Sequence, residues 1–249
     1  MNIAILISGL PRRQLQNLWY FRRFIRSQND IFIFSHYWHD KQDRNLNSPN
    51  SKRFHEKAPQ FIDQVVKFGF KSIIQKSEIP ESWDLGPNSS ISDASVEAFY
   101  PWGEGYLGGI ENFKCHLLSN NISMWNSIKK SFDILDRYAA DKKINFDYVV
   151  RMRYDVIPSI SIDDILMQIS DESILVPDTQ HPENMTNDWF AIGNVKAMSV
   201  YMNFFDNFPE IFLETQIEFG VWCNELGLSK YLRKNRIDVK TADLKMLFH

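Results

Sequence analysis

Residues Phe146 to Pro158 read Phe-Asp-Tyr-Val-Val-Arg-Met-Arg-Tyr-Asp-Val-Ile-Pro, an apolar run interrupted by two arginines and an aspartate. On a strand, Arg151, Arg153 and Asp155 share one face, because side chains two apart point the same way. Three charges on a half-buried strand are costly unless they pair with one another or meet a charged ligand or metal. Two readings stand: an ion-pair cluster at a strand end, or a binding site.

A second segment bears on the choice. Ser8-Gly9-Leu10-Pro11-Arg12 follows an aliphatic run. A glycine turn with arginine at a helix start presents backbone N–H groups and a guanidinium, which together suit a phosphate. The loop lacks the further glycines of a dinucleotide fingerprint and the lysine of a P-loop. Gly9 and Pro11 are equally sound as a turn and a helix start with no ligand.

The elements that must position these residues alternate. Ile3–Ile7 reads as a buried strand, and 12–26 as a basic helix turning Leu15, Leu18, Trp19 and Phe24 inward. Asp30–Trp38 is the second strand, His39–Phe54 a polar loop, Phe61–Phe68 a helix and Ser72–Gln75 a short third strand. Between Glu78 and Gly109 the chain turns rich in Pro, Gly, Ser, Asn and aromatics, and is expected to be an irregular insertion or lid anchored by Trp83, Phe99 and Trp102. Trp102 and Tyr106 are either sugar-stacking platforms or pins for that loop.

The longest helical stretch is Ile110–Asp141, with Leu117, Ile122, Trp125, Ile128, Phe132 and Leu135 at helical intervals. A helix at Ile162–Ile169, strands at Ser173–Val176 and Trp189–Gly193, helices at Val195–Phe208 and Glu210–Leu226, and a strand or tail at Ile237–Thr241 complete the pattern. Strands spaced by helices predict an α/β fold with a mostly parallel central sheet. In such sheets ligands bind beyond the carboxyl ends of strands, where Ser8–Arg12, Ser35-His36 and Arg153–Asp155 all fall. His36 and Trp38 either flank a base or pack at the rim.

With 249 residues, 44% of them hydrophobic, the chain fits one large α/β domain or two small ones and can fill a sizeable core. The formal charge of -3 argues against general nucleic-acid binding. Two cysteines, Cys115 and Cys223, give no disulfide framework, so the cytoplasm or another reducing compartment is expected. No secretory leader and no apolar run of the ~20 residues that a membrane span requires is visible, which leaves a soluble protein, or one peripheral to a membrane at most.

Taken together, Ser8–Arg12, the helix bearing Asn121, Ser123 and Asn126 before Tyr148–Val156, and Asn187-Asp-Trp-Phe-Ala-Ile-Gly193 resemble the GT-A-type glycosyltransferases of polysaccharide, lipopolysaccharide or viral glycan assembly. The resemblance implies a single Rossmann-related domain. Its 1–158 half would bind nucleotide, its 159–249 half would face the acceptor, and 78–109 would be an insertion. It further implies a nucleotide-sugar donor and a glycan acceptor. Ser8, Gly9, Arg12, Arg151 and Arg153 would then lie on the nucleotide side.

In that family a strand end usually carries Asp-x-Asp around a divalent cation. Here Arg153-Tyr154-Asp155 stands in its place, so Asp155 is left to hold Mg²⁺ or Mn²⁺ through one carboxylate, with water and phosphate oxygens. Asp188 is the general-base candidate that the resemblance implies, and a turn or helix cap on the plainer reading. Asp178, Glu183 and Glu218 are reserves, and His249 is a less favoured metal ligand. Two alternatives stay open: a nucleotidyltransferase acting on a sugar phosphate, and a non-catalytic carbohydrate-binding scaffold.

Overall fold

In β1 (Asn2–Ser8), Ile3, Ile5 and Ile7 alternate with Ala4 and Leu6, and all five are buried, so this strand is covered on both faces. The computed structural model describes residues 1–8, 18–39, 71–78, 90–100, 109–153, 156–169, 173–178 and 185–248. After β1 come α1 (Leu18–Phe24), β2 (Asp30–His39), β3 (Lys71–Glu78), α2 (Asp93–Phe99) and α3 (Gly109–Lys142). There follow β4 (Tyr148–Arg153), β5 (Val156–Pro158), α4 (Ile162–Leu166), β6 (Ser173–Pro177), β7 (Phe190–Asn194) and α5 (Val195–Met202). A 3₁₀ turn at Asn203–Asn207, α6 (Phe208–Phe219), α7 (Asn224–Lys234), β8 (Asp238–Ala242) and β9 (Met246–Phe248) complete the described elements.

The seven-stranded sheet has the order β3-β2-β1-β4-β7-β6-β8. Neighbours run parallel except at β7, which is antiparallel to both β4 and β6. The expected mostly parallel sheet flanked by helices is therefore what the chain forms, and β5 pairs separately with β9.

Each face of the sheet has its own apolar cluster. One joins Ala4, Leu6, Val149 and Ala191 to Trp125, Ile128, Tyr201, Phe204, Trp222 and Leu228 of the larger helical layer. The other joins Ile3, Ile5, Ile7, Val150, Met152 and Phe190 to Phe21, Phe24 and Ile25 near α1 and to Ile162 and Ile165 of α4. The strand period then puts Arg151 and Arg153 on the face of Val149, under the larger layer.

Several boundaries differ from expectation, for local reasons. Trp19 is 63% exposed, whereas Phe21 and Phe24 are buried, so the inward stripe of α1 is out of phase with the one read from sequence. Within 78–109, residues Asp93–Phe99 form a helix capped by the Ser92 side chain, and Ile91 and Val96 are buried, which makes this part packed structure and not an irregular lid. The expected helix over 210–226 is two helices: Gly220, at φ 71°, takes the left-handed backbone that ends α6. The segments expected at 39–54 and 61–68, with Trp83, Trp102 and Tyr106, lie essentially outside the described residues.

Candidate active site

Strand β7, the reversed strand of the seven-stranded sheet among the described residues, creates the site's geometry. Because β7 runs against β4, the residues that precede β7 sit at the same edge of the sheet as those that end β4. Arg151 lies opposite Ala191 and Met152 opposite Phe190, and the Arg153 N–H donates to the Trp189 carbonyl at 3.2 Å. Asp188 is thereby delivered to the carboxyl-end rim of the parallel strands. On the other side of β4, Ser8 is level with Arg153 and with His36 of β2.

Arg151 is fully buried and Arg153 half-buried. Ser8 is also buried, and its hydroxyl has no hydrogen-bond partner among the described residues. Gly9, Arg12, Asp155, Glu183 and His249 fall outside the described residues. Asp178 is exposed at the end of β6, its N–H bonded to the Ala242 carbonyl at 2.8 Å. Glu218 is engaged on the surface by Lys230. Glu218 does not join the rim, whereas Asp178, at the carboxyl end of β6 beside β7, stands at the same edge of the sheet as Asp188.

Asp188 itself is buried, 4% exposed. The turn-cap reading falls to its neighbour, since the Asn187 Oδ1 accepts from the Trp189 N–H at 2.8 Å. That turn is pinned from across the site, where the Thr186 N–H donates to the Glu225 carbonyl at 3.1 Å. The first turn of α7 is consequently held against the loop that carries Asp188.

Glu225 is the residue that sequence reasoning missed. Burial first, and then the Asp188 charge, push its carboxyl up to about 7; a Cys223 hydrogen bond and the Arg153 charge pull the other way. Burial and the Glu225 charge push the Cys223 thiol up to about 12, so it stays neutral and inert as a nucleophile. The Tyr100 and Tyr201 phenols are raised too, by burial above all, and both feel the Asp188 and Glu225 charges, with Arg151 opposing at Tyr201. One buried neighbourhood thus joins two carboxylates, two arginines and two phenols. The missed signal was Gly220 as a helix stop with a new start at Asn224, which would have put Glu225 in a first turn.

His36 has a packing role. Its ring nitrogens lie 2.7 Å from the Ser127 Oγ and 3.0 Å from the Ser77 Oγ, and burial followed by the Lys130 charge lowers its pKa to about 3. It is a neutral imidazole tying β2 to α3 and β3. The Trp38 side chain lies outside the description.

Among the described residues, no group of three His, Cys, Asp or Glu could hold a metal ion. The groups placed at the strand ends, Arg153 and Ser8, suit an anion better than a cation.

The fold and rim define an α/β protein with a polar site at the carboxyl ends of parallel strands. No family model and no curated protein matches the sequence. Among solved structures, mouse xyloside xylosyltransferase 1 in its apo form is similar at 8% identity and a TM-score of 0.43, over 97% of this chain and 85% of that one. The apo glycosyltransferase GlyE of Streptococcus pneumoniae TIGR4 is similar at 12% identity and a TM-score of 0.44, over 95% of this chain and 44% of that one. At such identities and scores the likeness is distant.

Proposed function

We propose that the protein is a glycosyltransferase moving a sugar from a nucleotide-sugar donor to a glycan acceptor. The observation that carries this reading is the placement of Arg153 and buried Asp188 on one rim, joined through the Arg153–Trp189 backbone bond. In the reaction the acceptor oxygen attacks the anomeric carbon. The bond from that carbon to the phosphate oxygen breaks, and the nucleoside diphosphate leaves with the electron pair. Arg153, with Ser8, Gly9 and Arg12 on the nucleotide side, meets the charge that grows on the diphosphate. Arg151 supports that positive field from below. Asp188 takes the acceptor proton, and Glu225 sets how readily it does so.

A divalent cation would be held at Asp155 by a single carboxylate, with water and phosphate oxygens completing its shell. The proposal extends to hexosyl or pentosyl transfer, polysaccharide or lipopolysaccharide acceptors and a cytoplasmic setting.

The test is turnover of a nucleotide-sugar panel, with and without Mn²⁺, scored for free nucleoside diphosphate. Asp188→Asn should lower kcat about 10²–10⁴-fold, the usual range for a general base. Arg153→Ala should lower kcat and raise donor KM together, because the guanidinium meets a diphosphate whose charge is present in the ground state and grows in the transition state. Pyrophosphate as the product would instead establish a nucleotidyltransferase. Undiminished turnover in Asp188→Asn would remove the base assignment, and no turnover of any donor would leave a scaffold.

A further inference from the structure

The solvent face of α1 carries a stripe that the site does not use. Trp19, Arg22 and Arg23 of the helix and Arg26 just after it recur at i, i+3, i+4 and i+7, and all four are exposed. The opposite side is apolar: Phe21, Phe24 and Ile25 are at most 1% exposed and pack on the sheet face away from Arg151 and Arg153. The stripe borders a cleft of about 840 Å³ whose polar lining continues to Ser27 and Asn29. Beside the stripe, Asp163 of α4 accepts hydrogen bonds from the Ser27 hydroxyl and the Asn29 amide at 2.6 and 3.0 Å.

We propose that this face docks on an anionic lipid bilayer. Three exposed arginines on one helical turn and its exit are a local positive surface on a chain of net charge -3. Guanidiniums bind lipid phosphates, and basic residues beside a bilayer each add attraction to anionic headgroups. The indole decides between occupants. A soluble polyanion would be served by the arginines alone and would leave Trp19 in water at 63% exposure. A bilayer interface accepts both, because tryptophan favours the depth where one end is apolar and the other wet. Among the described residues no helix is long and apolar enough to cross a membrane, so contact through this face is of the surface-lying kind.

The proposal is independent of the glycosyl-transfer reading, and its experiment needs no substrate. The purified chain is co-sedimented with phosphatidylcholine vesicles with and without phosphatidylglycerol, and separately mixed with dextran sulfate. Binding should require phosphatidylglycerol and fade with salt. Arg23→Ala/Arg26→Ala should weaken it by about thirtyfold, a few-fold to tenfold per arginine. Trp19→Ala should weaken vesicle binding while leaving dextran sulfate binding unchanged. All three side chains are exposed, so circular dichroism should show the variants folded. Equal binding to vesicles lacking phosphatidylglycerol, no binding at all, or indifference to either variant would overturn the proposal. Dextran sulfate binding as strong as vesicle binding, with Trp19→Ala neutral in both, would assign the face to soluble polyanions instead.

Discussion

Glu225 ties the chemistry of the rim to the stability of the whole chain. Its carboxyl titrates near 4.5 when unfolded and is pushed up to about 7 in the folded protein. Between those values the native state binds more protons than the unfolded one, so stability falls as pH rises through the window and the penalty is complete above it. Glu225→Gln removes the ionisable group. At pH 4, below the unfolded value, both states keep the proton and the variant should unfold at nearly the same urea midpoint as the parent. At pH 8 it should be the more stable, by at most about 3 kcal/mol at 1.36 kcal/mol per pKa unit. Equal midpoint shifts at both pH values would show that no raised carboxyl exists there. Asp188→Asn should reduce the pH 8 penalty as well, because the Asp188 charge is the second cause of the shift.

Sequence showed residues of this kind unevenly. Arg151 and Arg153 stand out because charges inside an apolar run violate the strand's own logic. Asp188 is visible in the sequence only through the family resemblance, and its backbone neighbourhood lies at the rim. Glu225 could not be read, since what makes it unusual is a contact with Thr186 and Asp188 from an element dozens of residues earlier.

At the scale of elements, α7 is held in place by a glycine. Gly227 sits so close to the Trp222 indole that a Cβ there would overlap the ring. That indole is fully buried and packed against Phe208 and Phe212, at centroid distances of 5.3 and 4.9 Å. Alanine in place of a helical glycine ordinarily stabilises by up to about 1 kcal/mol. Here overpacking should outweigh that gain, and Gly227→Ala should destabilise by about 1–3 kcal/mol, seen as a lower thermal midpoint. A higher midpoint would mean that the indole moves freely. Because Glu225 lies two residues earlier on the same helix, the variant should also lower turnover.

Element types were legible wherever one period dominated, as in β1, β4 and α3. Phase and boundaries were not. For α1, a basic sequence with aromatics at several positions permits more than one inward stripe, and packing under the sheet selected Phe21 and Phe24 over Trp19. For α6 and α7, continuous apolar character concealed the break that Gly220 makes.

For the whole molecule, the sheet explains why residues far apart in sequence meet. Six of its seven strands share one direction, and reversing β7 alone returns the chain to the rim where β1 and β4 end. The βα alternation made the parallel part legible, whereas the reversal is a tertiary choice with no local signature. Strand β5 adds a second long-range tie, with Val156 opposite Phe248 and the Ser159 N–H donating to the Lys245 carbonyl at 3.3 Å. Leu247→Pro deletes a backbone donor opposite Ile157. It should leave the thermal midpoint within about 4 °C, close to 1 kcal/mol for a chain of this size, yet weaken donor binding in a titration. Unchanged donor affinity would release the rim from dependence on β9.

That pairing also orders events in time. The partners Val156 and Phe248 are separated by 248 − 156 = 92 positions, so the ladder closes a long loop and forms slowly relative to local helices. As the chain is synthesised, the main sheet through β7 can assemble while β9 is still unmade. The strand that follows the Arg153 end is fixed only once β9 arrives. A nascent chain should therefore acquire the main sheet before the strand that follows the Arg153 end is fixed.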